Sequence, residues 1–295
     1  MGEKTNLFRI ADFLVRVTFN DTETDGMTLL PSFKAFGCEK DNSGGVLLDM
    51  TVDNGLIPRR DGQKIRNFET GNGHTLVHKL PDGGYQFIIR DTKERDCCLL
   101  QADSRFSVCR CALNGIRDMR SFGLNDALML SFAFATSFHG ALLIHASCVM
   151  KDGWGYPFTA KSGTGKSTHT SLWMKHIEGV ELLNDDNPVI RFIDGEAFIY
   201  GSPWSGKTPC YRNRKARLGA VTKIKRATEN SIERSNPINA FGMMLAACSS
   251  MKWDNEIYNG VCDTATRIIE TTPIYTLHCL PDEQAAILCH RTIAR

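Results

Sequence analysis

The segment "YPFTAKSGTGKSTHTSLW", Tyr156 to Trp173, constrains the fold more than any other part of the chain. A short apolar run enters a glycine-rich loop, and the loop runs straight into residues that favour a helix. Ala160, Gly165, Lys166 and Ser167 fit the phosphate-loop spacing, with Ala160 where the first glycine usually stands. Such a loop needs a strand before it, a helix after it and a second strand nearby. The neighbouring sequence predicts that order. "ALLIHASCVM" reads as a strand, "KDGWG" as a turn, "YPFTA" as a strand and "STHTSLWMKH" as a helix. "VELLNDDNPVIRF" then reads as a strand that breaks at its acidic pair and resumes after Pro188.

The residue types suit phosphate chemistry. Gly163 and Gly165 allow a tight turn that points successive N–H groups, and the N-terminus of the helix, at phosphate oxygens. Lys166 supplies a point charge for the terminal phosphates. The Ser167 hydroxyl can ligate a magnesium ion shared with the nucleotide. Asp185 and Asp186 end the apolar run "VELLN", which places two carboxylates at the edge of a strand. One suits a metal, and the other suits accepting a proton from an attacking hydroxyl. The bland readings are a glycine turn entering a helix and a solvated D-D-N-P turn.

The first third of the chain has a different texture. "FRIADFLVRVTF", "GGVLLDMTV", "HTLVHKL", "GYQFIIRD", "DCCLLQA" and "FSVCRCAL" alternate or form short apolar runs, separated by turn signals such as "DNSGG" and "PDGG". They predict an antiparallel sheet over about residues 5–115. A buried helix is expected from near Asn125 to just before Gly140. The expected division is a β-rich unit over 1–123 and a nucleotide-binding unit over 124–295.

Charge excludes some partners. The 35 Lys plus Arg nearly balance 33 Asp plus Glu over 295 residues, so no global field favours nucleic acid or an anionic surface. The run Ala127–Met150 is interrupted by Ser, Thr and two His residues, which suits a buried helix followed by a strand and not a membrane span. The N-terminus lacks the pattern of a signal peptide, and Asn6 argues against myristoylation at Gly2, so the expected location is the cytoplasm. The eleven cysteines form no C-x-x-C pair and read as reduced, mostly buried thiols.

The arrangement "LLIHASCVM", "GWGYPFTAKSGTGKST" and "LLNDDNPVI" resembles the nucleotide-binding core shared by HPr kinase/phosphorylase and phosphoenolpyruvate carboxykinase, and more closely the smaller HPr-kinase-related proteins. The resemblance continues through "GSPWSGKTPCYRN" to "PIYTLHCLPDEQAAI" and covers about residues 124–295. It implies an α/β (α+β) fold with a mixed-sheet P-loop core, preceded here by the β-rich N-terminal unit; the residues alone would suggest a parallel doubly wound sheet. It further implies that Ser162, Gly163, Thr164, Gly165, Lys166, Ser167 and Thr168 bind nucleotide. Ser167, Asp185 and Asp186 would hold the metal, and His145 would lie near the transferred phosphate. Without the resemblance, His145 reads as an ordinary core histidine, as do His169, His176 and His278.

"GSPWSGKTPCYRNRKARLG" places Lys207, Arg212, Arg214, Lys215 and Arg217 close together. Lys207, after a glycine turn, is a candidate phosphate contact. Arg212 and Arg214 stand open between that role and a solvated loop. The expected activity is transfer of the ATP terminal phosphoryl group, with Mg2+, to a hydroxyl of a protein serine or a small molecule, with Asp185, Asp186, His145 and Lys207 as the catalytic candidates. The alternatives are carboxykinase-like activity and a non-catalytic nucleotide-binding adaptor. Neither a membrane nor nucleic acid is an expected partner, and a homo-oligomer is compatible with the sequence.

Overall fold

The computed structural model describes residues 3–39, 45–70 and 73–295. Met1-Gly2 and most of the turn expected at Asp41–Gly45 lie outside the described residues. The chain divides into two compact units, 1–136 and 137–295.

The first unit is an eight-stranded sheet with one long helix. Its strands are β1 (Lys4–Ile10), β2 (Phe13–Phe19), β3 (Val46–Val52), β4 (Gln63–Thr70), β5 (Gly73–Lys79), β6 (Tyr85–Asp91), β7 (Asp96–Ala102) and β8 (Val108–Leu113). Their order is β1-β2-β3-β8-β7-β6-β5-β4. The sheet is mixed, not antiparallel as the alternation suggests. β3 runs parallel to both β2 and β8. The long connection after β2 carries the chain back to start β3 in the same direction, a crossing that a tight hairpin cannot make.

Helix α1 (Arg117–Thr136) packs on this sheet and belongs to the first unit, so the division falls at 136/137 and not at 123/124. Gly123 explains the close fit: a Cβ there would sit 2.7 Å from the Cys98 Cβ and 2.8 Å from the Cys97 carbonyl oxygen. Leu124, Ala127, Leu128, Ser131 and Phe132, spaced three and four apart, face inward. The helix starts eight residues before Asn125 because its first turn, Arg117 to Arg120, has three charged residues around a single Met119 and shows no apolar period. Arg120 is held there by buried Asp25.

The second unit contains β9 (Ala141–Leu143), β10 (Ala146–Lys151), β11 (Trp154–Thr159), α2 (Lys166–His176), β12 (Glu181–Asp186), β13 (Val189–Ile193), β14 (Glu196–Tyr200), β15 (Lys215–Leu218), β16 (Val221–Arg226), β17 (Ser231–Arg234), α3 (Pro237–Ala247), α4 (Asn255–Thr271), β18 (Ile274–Cys279) and α5 (Glu283–Ile293). Its sheet is also mixed. β11 is parallel to β15 and β16, and β16 to β18, while β10 pairs antiparallel with β11 on one side and β12 on the other. The two faces have separate cores. One gathers Val221, Met243, Met244 and Ile268 under α3 and α4. The other gathers Phe158, Trp173, Ile224 and Cys289 under α2 and α5.

All eleven cysteines are free thiols, eight of them buried. Burial pushes Cys109, Cys148 and Cys289 far above the usual thiol range, which keeps them unreactive. Among the described residues, no helix is long and apolar enough to cross a membrane.

Candidate functional site

Strands β11, β10 and β12 lie side by side, and this order assembles the site. β11 delivers the chain into the loop, and α2 begins at Lys166. Gly163 and Gly165 adopt φ of 74° and 123°, a region that side chains disfavour. β10 holds the acidic pair in place from the other side, with Ala146 opposite Asp186 and Ser147 opposite Asp185. A buried hydrogen bond, Ser147 Oγ to Thr170 Oγ1 at 3.0 Å, ties β10 to α2.

Loop and acidic pair are joined directly. The Ser167 hydroxyl donates to Asp185 Oδ1 at 2.8 Å. Lys166 Nζ donates to His145 Nε2 at 2.7 Å and reaches the Ala160 carbonyl at 3.5 Å. His145 Nδ1 lies 2.9 Å from Asp186 Oδ1. With Nε2 accepting from lysine, the imidazole proton sits on Nδ1 and donates to the carboxylate. Lys166, Ser167, His145, Asp185 and Asp186 are therefore brought together, with Lys166 and Asp185 buried. Burial pushes the Lys166 ammonium below the usual lysine range, and the charges of Asp186 and Asp185 offset that in part.

The two carboxylates differ in their surroundings. Asp185 is 3% exposed, and its second oxygen accepts from the Thr208 N–H at 3.3 Å. Asp186 has a side chain 29% exposed, and its second oxygen accepts from Asn187 Nδ2 at 2.9 Å. Asp186 adopts a φ of 149°, which turns the end of β12 out of the strand path. For a residue with a side chain such a conformation costs about 1–3 kcal/mol. Its neighbours hold it there. The wholly buried Asn184 amide donates to the Trp204 carbonyl at 3.1 Å, its oxygen accepts from the Asn187 N–H at 2.9 Å, and Ser205 bridges to Asp186.

Other candidates are placed apart. Lys207 is exposed and has no hydrogen-bond or ion-pair partner among the described residues, although the flanking Gly206 and Thr208 N–H groups bond to Asp185. Arg212 and Arg214 pair with Glu181 at 2.7 and 2.8 Å, and Arg217 with Glu196 at 3.0 Å. Ser162 and Thr168 lie exposed on the loop and the first turn of α2. His169 is a core residue: it accepts from Trp173 Nε1 at 3.1 Å, and burial pushes its pKa down to about 4.

Sequence reasoning passed over Arg226, at the end of β16. It donates to the Gly163 carbonyl at 2.6 Å and the Thr164 carbonyl at 3.1 Å. Holding the loop's carbonyls fixes the direction of its N–H groups. The only sequence signal is an arginine following the alternating "VTKIK". Asn184 was equally silent, since an amide inside an apolar strand carries no motif. Beside the loop lies a cavity of 610 Å³ with apolar walls from Leu172, Ile224, Leu280 and Pro281.

Magnesium fits the donor set. Ser167 Oγ and Asp185 Oδ1 are hard oxygens within one coordination radius of a common point, and magnesium takes one or two carboxylates, keeping water and phosphate for the rest. No cluster of three or more His, Cys, Asp or Glu suited to a protein-only metal cage occurs among the described residues.

No protein-family model matches the chain, and no curated protein sequence matches it. Among solved structures, the chain is similar to the HPr(Ser) kinase/phosphatase from Coxiella burnetii, with a TM-score of 0.30 and 10% identity, covering 50% of this chain and 91% of that one.

Proposed function

We propose that this chain is an ATP- and Mg2+-dependent phosphotransferase that moves the terminal phosphoryl group to an acceptor hydroxyl. The observation that supports it is the unbroken contact path from loop to acidic pair, through Ser167–Asp185 and through Lys166–His145–Asp186. A glycine turn that merely enters a helix has no need of either.

In this reading the N–H groups of Ser162 to Ser167 and the start of α2 hold the phosphates. The nucleoside occupies the apolar cavity beside the loop. Lys166 exchanges His145 for a phosphate oxygen and offsets charge on the moving group. A bound magnesium ion supplies Lewis-acid charge to the phosphate oxygens, and Ser167 with Asp185 holds it. Asp186, the more open carboxylate, is the base. The acceptor oxygen bonds to phosphorus as the bond from phosphorus to the ADP oxygen breaks, and the hydroxyl proton passes to Asp186. His145 orients that carboxylate and links it to Lys166. The two aspartates thus divide the roles that the sequence leaves shared between them.

The test is ADP release and transfer of labelled phosphate to seryl peptides, hydroxyl compounds or water. Asp186→Asn should retain nucleotide affinity within about threefold and lose about 10²–10⁴-fold in turnover. Wild-type turnover in that variant contradicts the assignment.

A further inference from the structure

A second concavity lies on the other face of the same sheet. It is a cleft of 470 Å³ between the β16–β18–β17 edge and α3. Lys223 and Lys225 project into it from β16, on the same side as Val221, which packs under α3, and opposite to Ile224, which packs under α2 and α5. In edge strand β17, Glu233 shares this face through Thr276, whereas Arg234 pairs with Tyr275 and faces the α5 side. Neither lysine has an ion-pair or hydrogen-bond partner among the described residues. Arg212, Arg214 and Arg217 in the same unit are all paired. Glu233 is the one acidic residue lining the cleft, and its carboxylate lies 3.7 Å from the His278 ring. Cations left unpaired in a concavity make a field for an anionic ligand.

The cleft is joined to the site just described by two elements. Lys223 stands beside Thr159 in the β11–β16 ladder, one residue before Ala160, whose carbonyl faces Lys166. Helix α3 lines the cleft through Asn239 and Met243 and ends at Ala247, whose carbonyl accepts from the His145 N–H at 2.7 Å. At 1.5 Å per residue, Met243 and Asn239 lie about 6 and 12 Å along the helix from that contact. In an extended peptide, at about 3.3 Å per residue, the same span is two to four residues.

We propose that the cleft recognises acidic side chains of a peptide acceptor, carried two to four residues from the hydroxyl that receives the phosphoryl group. The inference rests on the phosphotransfer reading for the hydroxyl and on Lys223 and Lys225 for the acidic side chains. The span from the cleft to the His145 end of α3 favours a peptide over a small hydroxy acid.

The test uses the full chain and fluorescence anisotropy with a labelled peptide bearing one serine followed by three glutamates, and a second peptide with glutamines in their place. The glutamate peptide should bind at least about tenfold tighter, an advantage that falls with added salt and is lost in a Lys223→Gln/Lys225→Gln double variant. An Arg212→Gln/Arg214→Gln variant, which removes as much charge elsewhere, should leave it intact. Magnesium nucleotide binding, read by calorimetry, should be unchanged in the Lys223/Lys225 variant and lost in Lys166→Ala, which should still bind the peptide. The two readings therefore fail separately. Equal affinity for both peptides, equal loss in the two charge variants, or displacement of the glutamate peptide by an equal concentration of succinate overturns the proposal.

Discussion

Each unit buries a carboxylate, and each satisfies it differently. In the first unit Asp25, 5% exposed, receives Arg120 Nε at 2.9 Å and Asn54 Nδ2 at 2.7 Å, and Arg120 also donates to the Leu113 carbonyl at 2.8 Å. Charge meets charge, and the network closes on itself. In the second unit Asp185, 3% exposed, accepts from the neutral donors Ser167 and Thr208 N–H and makes no ion pair among the described residues, although the Lys166 ammonium feels its charge. Its charge stays available to a cation. Burial of a carboxylate without a direct ion pair is expensive and is retained where chemistry uses it. Asp25 therefore reads as a strut between α1 and the sheet, and Asp185 as part of a site.

Breaking the closed network should produce the largest stability effect. Arg120→Met leaves Asp25 buried without its ion pair, which should cost about 3–5 kcal/mol in denaturant unfolding. The same variant should leave magnesium nucleotide affinity unchanged. A loss of affinity as large as the loss of stability would merge the two units into one functional body.

The units should also respond to pH in opposite directions. His169 titrates near 4 when folded, against 6.5 for the free side chain. Above 6.5 it is neutral in both states. As pH falls from 6.5 to about 4, the unfolded chain takes up a proton that the folded chain refuses, so stability falls, by on the order of 3 kcal/mol in full. On α1, burial pushes the Asp126 carboxyl up to about 7 from 3.8. Here the folded state holds the extra proton, so stability falls as pH rises from 3.8 through 7. Unfolding followed across pH should show His169→Gln, which keeps an acceptor for Trp173, flattening the acid limb. Asp126→Asn should flatten the neutral limb by a smaller amount, because that side chain is partly exposed. If either substitution flattens both limbs, the assignment of one limb to each unit is wrong.

The same contrast accounts for what the sequence discloses. The loop, the start of α2 and the acidic pair were legible because glycine positions, a lysine-serine pair and a broken apolar run are local signals. Most strand positions of the first unit were legible from alternation, but the polar edge strand β4 was not, and nothing in the run over β1 and β2 marked its turn at Ala11–Asp12. The direction of β3 was not legible, because parallel pairing depends on a long connection and not on the strand's own residues. Nor was the allegiance of α1, which follows from the close approach of Gly123 to Cys97 and Cys98. Contacts made across the fold, such as Arg226 to the loop carbonyls and Asn184 to the Trp204 carbonyl, leave no periodic or spaced pattern to read.

The central claim is that Asp185 and Ser167 complete a magnesium nucleotide site on the Lys166 loop. Its most direct test is calorimetric titration with a non-hydrolysable ATP analogue, with and without magnesium, on the wild type, Lys166→Ala and Asp185→Asn. Binding should require magnesium in the wild type and be lost in Lys166→Ala. In Asp185→Asn it should weaken by about tenfold or more with magnesium and little without it. Wild-type affinity that is indifferent to magnesium, or that survives in Lys166→Ala, contradicts the account.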